Sequence, residues 1–293
     1  MAPSPYVAPV ASSTAVFRDD IFKGKVLFCT GGGSGIGKGM TETVMRHGAS
    51  AVIIGRNLER LTAASQELSQ KTGEVCIPAQ ADVRKPESLR DAVKKAIERF
   101  GRIDFVICGA AGNFLAPISG LSENAFRTVI EIDTIGTYNT VKATLPHIRA
   151  SKGSYIHISA TLHYQGTPYQ AHVSSAKAAV DALSRVIAME EGPHGVRSNV
   201  LAPGYTMGTE GLSKLYPKGK NPNDDEKMAR PLGRYTEIQD VANATVFLFS
   251  DAALYITGQI IPIDGSVVGS SLVPYPQAVL DPASVQKMLK GKL

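Results

Sequence analysis

The sequence predicts a doubly wound α/β fold, a single Rossmann-type parallel sheet with helices on both faces. Three observations carry this expectation. Short apolar runs containing β-branched residues alternate with segments of helical period from residue 25 to residue 203. A glycine cluster follows the first apolar run and opens the first helical segment. No linker divides the 293 residues, so the alternation belongs to one sheet rather than to two domains. Strands joined by helices of this length form right-handed crossovers, which place helices on both faces of a parallel sheet.

The elements follow in order. KVLFCT (25–30) is an apolar first strand, and the helix over 35–48 stops at Gly48. SAVIIG (50–55) is the second strand. The helix over 57–73 has Asn57 as its N-cap and Gly73 as its stop. EVCIPAQ (74–80) is a strand, 85–101 a helix and IDFVICG (103–109) a strand. One long helix is expected over 122–148, then the strand GSYIHIS (153–159), a helix over 169–192 and the strand VRSNVLAP (196–203). GQIIPID (258–264) is the last strand, and nothing is assigned between 230 and 258. The irregular stretch 204–230 follows a strand end, where such sheets bind ligands, and reads as a substrate lid. Residues 1–20, rich in Pro, Ala and Ser, read as a flexible arm, 21–270 as the folded domain and 271–293 as a tail.

Composition excludes several classes. The net charge of +5 is scattered, with no basic block or nucleic-acid-binding motif. A cationic excess fits a phosphate-bearing small ligand. No apolar run is long enough to span a bilayer. Cys29, Cys76 and Cys108 are too few and too widely spaced for a disulfide framework or a metal site.

TGGGSGIG (30–37) carries the first site. Its glycines let the backbone turn sharply and approach a diphosphate, whose charge meets the following helix N-terminus. Gly31, Gly32, Gly33, Ser34, Gly35, Ile36 and Gly37 are therefore expected to bind a dinucleotide. The second strand ends in Arg56 where an acidic residue would favour NAD. A guanidinium there suits the 2′-phosphate of NADPH.

The spacing G-x-x-x-G-x-G resembles the short-chain dehydrogenase/reductase family, and matching segments extend from Lys25 to Asp264. The resemblance assigns Asp82 and Val83 in ADVR, Ala110 in CGAAGN, and Pro203, Gly204, Thr206 and Thr209 in APGYTMGT to the cofactor. It also exposes a changed active site. The family's Tyr, four residues before its Lys, is Val173 in QAHVSSAK, its Ser is Ala160 and its Asn is Asp133. Lys177 alone is retained, and it is expected to reach the nicotinamide ribose. Asp133 in that cleft is a candidate acid or water-positioning group. A carbonyl reduction needs a local proton donor to an alkoxide. A conjugate reduction spreads charge into an enolate that hydrogen-bond donors stabilise, and it needs no phenol.

CGAAGNF, LSENAF, EIDTIGT, SATL, HVSSAKAAVDAL and APGYTMGTEGL together resemble the peroxisomal 2,4-dienoyl-CoA reductases. The resemblance implies NADPH-dependent reduction of 2,4-dienoyl-CoA to 3-enoyl-CoA, with an acyl-CoA held by Arg56, Arg84, Phe114, Ser122, Glu123, Asn124 and Lys214. Asn113 is placed to hold the thioester oxygen, and Tyr164 is an alternative phenol. The family implies a homo-oligomer, dimer or tetramer. The chain ends Gly291-Lys292-Leu293, close to the Ser-Lys-Leu peroxisomal address, so an import receptor is an expected partner; a cytoplasmic location is the alternative. Ser266 replaces a glycine of the family's D-G-G turn. Two other readings stand beside this one: a reductase of the same fold for another unsaturated or carbonyl substrate, and a catalytically silent NADPH-binding protein.

Overall fold

Seven parallel strands form one sheet in the order β3-β2-β1-β4-β5-β6-β7 in a computed structural model that describes residues 9–209, 212 and 231–266. The strands are β1 (Val26–Thr30), β2 (Ser50–Gly55), β3 (Cys76–Gln80), β4 (Phe105–Cys108), β5 (Ser154–Ile158), β6 (Arg197–Pro203) and β7 (Ile260–Ile263). The strand order reverses between β1 and β4, where Thr30 lies beside Cys108 in register. A crevice opens there beyond the carboxyl ends of the strands, the ligand position of such sheets. Strands β1, β4 and β5 are buried along their whole length. The two edge strands are less buried and hold Pro78 and Pro262, positions where a missing N–H costs no central ladder bond.

The helices are α1 (Gly35–Met45), α2 (Leu58–Thr72), α3 (Pro86–Phe100), α4 (Glu123–Ile130), α5 (Gly136–Ser151), α6 (Ala171–Glu191) and α7 (Ile238–Phe249). They cover two cores. One contains Leu27, Ile53, Ile107, Met40, Val44, Val241 and Val246; the other contains Phe28, Ile54, Val106, Leu89, Val93 and Tyr155. Alternate side chains of each strand feed opposite cores, and each fully buried one contributes on the order of 2 kcal/mol of apolar transfer. Asn57 caps α2 by accepting from the Arg60 amide, and Gly73 ends it with φ 78°, both as expected.

Four local differences from the sequence reading have physical causes. The helix expected over 122–148 is interrupted by a π-helical turn, Glu131–Ile135, between α4 and α5. Helix α6 begins at Ala171, because Tyr169 stands at φ 65° and cannot join it. Helix α7 fills part of the unassigned stretch and starts with a reciprocal capping box between Glu237 and Asp240. The arm's residues from 11 onward are docked: His47 bonds Arg18 O at 2.7 Å and Ser13 Oγ at 2.8 Å, and Asn243 donates to Ala11 O. Most of the expected lid, the C-terminal tail, Lys214 and Gly291-Lys292-Leu293 lie outside the described residues.

Candidate active site

The glycine turn spans β1 and α1 at the crevice. A Cβ on Gly31 would lie 2.6 Å from Gly109 O, and one on Gly37 would lie 2.5 Å from Gly31 O. A larger residue at Gly31 would push the turn away from the segment that follows β4, and one at Gly37 would open the turn itself. Ser34 is the N-cap of α1, yet its hydroxyl makes no capping bond. The first N–H groups of α1 therefore lack this side-chain acceptor, and the turn fits a dinucleotide diphosphate. Thr30 Oγ1 accepts from Gly109 N at 3.1 Å and from Ala110 N at 3.4 Å, which ties the two walls of the crevice.

Arg56 is exposed at the end of β2, close enough to act on the Asp82 carboxylate. Asp82 does not cap α3; Lys85 occupies the N-cap. Asp82 Oδ1 instead accepts from Arg84 N, and the Arg84 guanidinium closes on the same carboxylate at 2.5 Å. The Arg84 hydrogen bond holds the Asp82 carboxyl below the usual range. These two residues, expected to serve different ligands, pair with each other. Asn139 Nδ2 donates to Val83 O at 2.9 Å, which fixes this loop against α5. On the opposite wall, Pro203 ends β6 beside Ile263, Thr206 Oγ1 donates to Gly204 O and Thr209 Oγ1 donates to Thr206 O.

The reaction side is built on the π turn and α6. Asp133 has no exposed surface, and Lys177 Nζ lies 3.0 Å from its Oδ2. Lys177 Nζ also donates to Ile158 O at 2.8 Å, and Gly112 N donates to Asp133 Oδ1 at 2.7 Å. Asp133 Oδ2 faces the ammonium without forming a hydrogen bond of good geometry, so one buried oxygen keeps its capacity to accept. Thr134 Oγ1 donates to Ala176 O and lashes the π turn to α6. Burying an ion pair costs several kcal/mol per ion before attraction repays it, so a pair kept at this depth points to use. Val173 packs among Val129, Ala176, Phe114, Ile130 and Leu162, so the phenol's own position is apolar.

Asn113 Oδ1 is buried beside this pair's loop without a hydrogen-bond partner. Tyr164 is tied down: its hydroxyl donates to Asp181 Oδ2 at 3.0 Å, and His163 Nε2 bonds the same oxygen at 2.8 Å. Burial first, then Asp181, push the Tyr164 phenol up, which opposes a role as acid or base near neutral pH. Among the described residues no three His, Cys, Asp or Glu side chains converge as a metal site.

A family profile described as enoyl-(acyl carrier protein) reductase matches residues 31–267. A Saccharomyces cerevisiae peroxisomal 2,4-dienoyl-CoA reductase, (3E)-enoyl-CoA-producing, is 46% identical over 86% of this chain and 86% of its own. A Danio rerio protein of the same description is 45% identical over 86% of this chain and 84% of its own. The chain belongs to the 2,4-dienoyl-CoA reductase family of short-chain reductases. A carveol dehydrogenase from Mycobacterium avium, solved in complex with NAD, matches with a TM-score of 0.76 and 28% identity over 83% of this chain and 97% of its own. Nicotinamide dinucleotides are the cofactors of this superfamily, in keeping with the crevice geometry.

For a 2,4-dienoyl-CoA reductase the acyl side is the other half of the site. Ser122 caps α4 by accepting from Ala125 N, and Glu123 and Asn124 follow in its first turn. Phe114 stacks on His172 with ring centroids 4.2 Å apart. Ile118, Leu121, Phe126, Arg127 and Ile130 line an open hollow of about 490 Å³ beside α4, and its Ile130 also packs in the Val173 cluster. The structure thus groups Asn113, Phe114, Asp133 and Lys177 on one side and the glycine turn, Arg56 and Asp82 on the other. Two polar features went unread in the sequence: the tie of His163 and Tyr164 to Asp181, and the imidazole of His172. Nothing local marks either, because both depend on what α6 buries.

Proposed function

We propose that this chain reduces 2,4-dienoyl-CoA to 3-enoyl-CoA with NADPH, in the peroxisome. The observation that carries this reading is the buried Asp133–Lys177 pair in a cleft whose phenol position is the apolar Val173. Such a site lacks the donor that an alkoxide product requires, yet holds groups that suit protonation at carbon. The descriptions of the Saccharomyces cerevisiae and Danio rerio relatives support the same substrate and compartment.

Held by the glycine turn, Arg56 and Lys177, the cofactor would supply a hydride to the δ carbon of the dienoyl thioester. The electron pair of the conjugated system moves toward the thioester oxygen, and a proton then joins the α carbon. One hydride and one proton leave a double bond between the β and γ carbons, which is the 3-enoyl product. Lys177 orients the ribose and sets the charge beside Asp133. Asp133, with Oδ1 fixed by Gly112 N, orders a water with its remaining accepting capacity and guides the proton. Asn113 steadies the thioester group, and Phe114 and the α4 hollow take the acyl chain. Arg56, with no carboxylate beside it on β2, selects the 2′-phosphate. Ser122, Glu123 and Asn124 at the start of α4, with Arg84 and Lys214, meet the CoA moiety.

Ile135, Tyr138, Val186 and Met189 are exposed apolar residues on the π turn, α5 and α6, and support assembly as a homo-oligomer. Gly291-Lys292-Leu293 is the address proposed for the import receptor.

Incubating the purified protein with hexadienoyl-CoA and NADPH tests the reading. The expected result is loss of the dienoyl absorbance and formation of 3-hexenoyl-CoA. NADPH binding without loss of dienoyl absorbance would overturn it.

A further inference from the structure

His172 is the second residue of α6, immediately before the Val173 that replaces the family phenol. It has no exposed surface, and neither ring nitrogen makes a hydrogen bond of good geometry, the Phe114 backbone being the polar group that acts on the ring most strongly. Leaving a buried polar group unpaired costs about 1–3 kcal/mol. A phenylalanine would stack on Phe114 equally well and carry no such cost, so packing alone gives no reason for an imidazole. The position does give one. The ring lies on Phe114, the proposed wall of the acyl site, and feels the Asp133 carboxylate. Asn113 Oδ1, one residue from Phe114, and Gln170 Oε1, at the N-cap of α6, are also buried without partners. Both of these atoms are acceptors, so among the unpaired groups here the imidazole is the one that can donate to a ligand oxygen.

We propose that His172 donates an N–H hydrogen bond to the thioester oxygen of the bound acyl-CoA and stabilises the enolate formed when hydride adds at the δ carbon. This rests on the dienoyl-CoA reading. Burial pushes the imidazole below the usual histidine range, against the opposing effects of the Phe114 backbone and Asp133. His172 is therefore neutral near pH 7, with one nitrogen bearing hydrogen and the other a lone pair. A neutral imidazole serves as a donor to a carbonyl oxygen that gains charge, and it gives up no proton in doing so. Asp133 is the charged group that acts on it from the π turn, and Lys177 follows on its own helix. The donor occupies the family's phenol neighbourhood, shifted by one residue along α6, and answers an enolate in place of an alkoxide.

The test compares His172→Phe and His172→Gln with the unaltered full chain, using hexadienoyl-CoA and NADPH. His172→Phe keeps the ring stack and removes the donor; His172→Gln keeps a donor. The expected result for His172→Phe is a loss of about 100-fold in kcat with KM little changed, the size of a lost oxyanion donor. NADPH affinity, read by fluorescence titration, stays within twofold, and the melting temperature is unchanged or higher. His172→Gln recovers at least tenfold of the loss. Should His172→Phe not fold, His172→Ala is the donor-free variant, with the same expectation. Three results overturn the inference: donor-free turnover within threefold of the parent, no recovery in His172→Gln, or a loss explained by weakened NADPH binding. An unaltered chain that binds NADPH without reducing the dienoyl thioester overturns the reading of function and this inference together.

Discussion

The two halves of the cleft are built by opposite means. The nucleotide half is mostly backbone: Gly31 and Gly37 allow contacts that no side chain would survive, and the loop's polar side chains pair with each other, Arg84 with Asp82. The reaction half is made of buried side chains, and several of their polar atoms, at Asn113, Asp133 and His172, form no hydrogen bond of good geometry within the protein. A half that needs shape tolerates little added volume. A half that needs charge tolerates volume-neutral changes in structure, and loses chemistry. Substitutions in the two halves therefore separate folding from turnover.

Asp133→Asn is the strongest break. It keeps the volume and removes the charge, so turnover is expected to fall about 1,000-fold, within the range of acid–base groups, while NADPH titration still shows binding. Unchanged turnover would remove Asp133 from the mechanism. Gly31→Ala acts on the other half: its methyl must displace Gly109 at a φ of 72°, and thermal denaturation is expected to show a loss on the order of 3 kcal/mol, together with loss of cofactor binding. Equal stability would show that the turn is looser than its contacts. Arg56→Ala sharpens the comparison within the nucleotide half, weakening NADPH about 10- to 100-fold by loss of charge-assisted hydrogen bonds, with NADH binding unchanged. Equal losses for both cofactors would assign Arg56 to the fold.

The smallest expected effect concerns pH. The Asp82 carboxyl is held below its usual range by the Arg84 hydrogen bond, so the folded state binds its proton less readily than the unfolded state. That contribution is present above the ordinary carboxylate range, near pH 4, and is lost as the pH falls through the lowered folded-state value. Arg84→Ala should therefore cost up to about 1 kcal/mol at pH 7, since the pair is partly exposed, and nothing in strong acid. Denaturant titrations at both pH values measure the difference, and a cost that persists in acid would point to packing by the Arg84 stem.

The strands and most helices were legible because their signals are local: apolar runs, Asn57 at a cap, Gly73 at a stop. Helix α7 was equally signalled, by Glu237 and Asp240 around a cap and by Val241, Thr245, Val246 and Leu248 on its buried side, though it went unassigned. The π turn was not legible, since an extra residue in a helical turn leaves no mark in composition. Ser266 was read only as a missing glycine; the structure gives it φ 70°, the conformation a glycine there would adopt at less cost. The Asp133–Lys177 pair was anticipated through the family pattern, whereas His172 became visible only once α6 and Phe114 enclosed it.

The π turn has one more consequence. Residues 131–135 carry one amino acid more than a regular turn would use, and each residue of a helix turns the chain by about 100°. The direction of Asp133 is therefore set by counting. Deleting a single codon between α4 and α5 would restore an even helical cadence and rotate the carboxylate against the elements that follow it, with every other site residue left in the gene. In this fold the reading of chain length, as much as residue identity, keeps the reaction half of the cleft in phase with the nucleotide half.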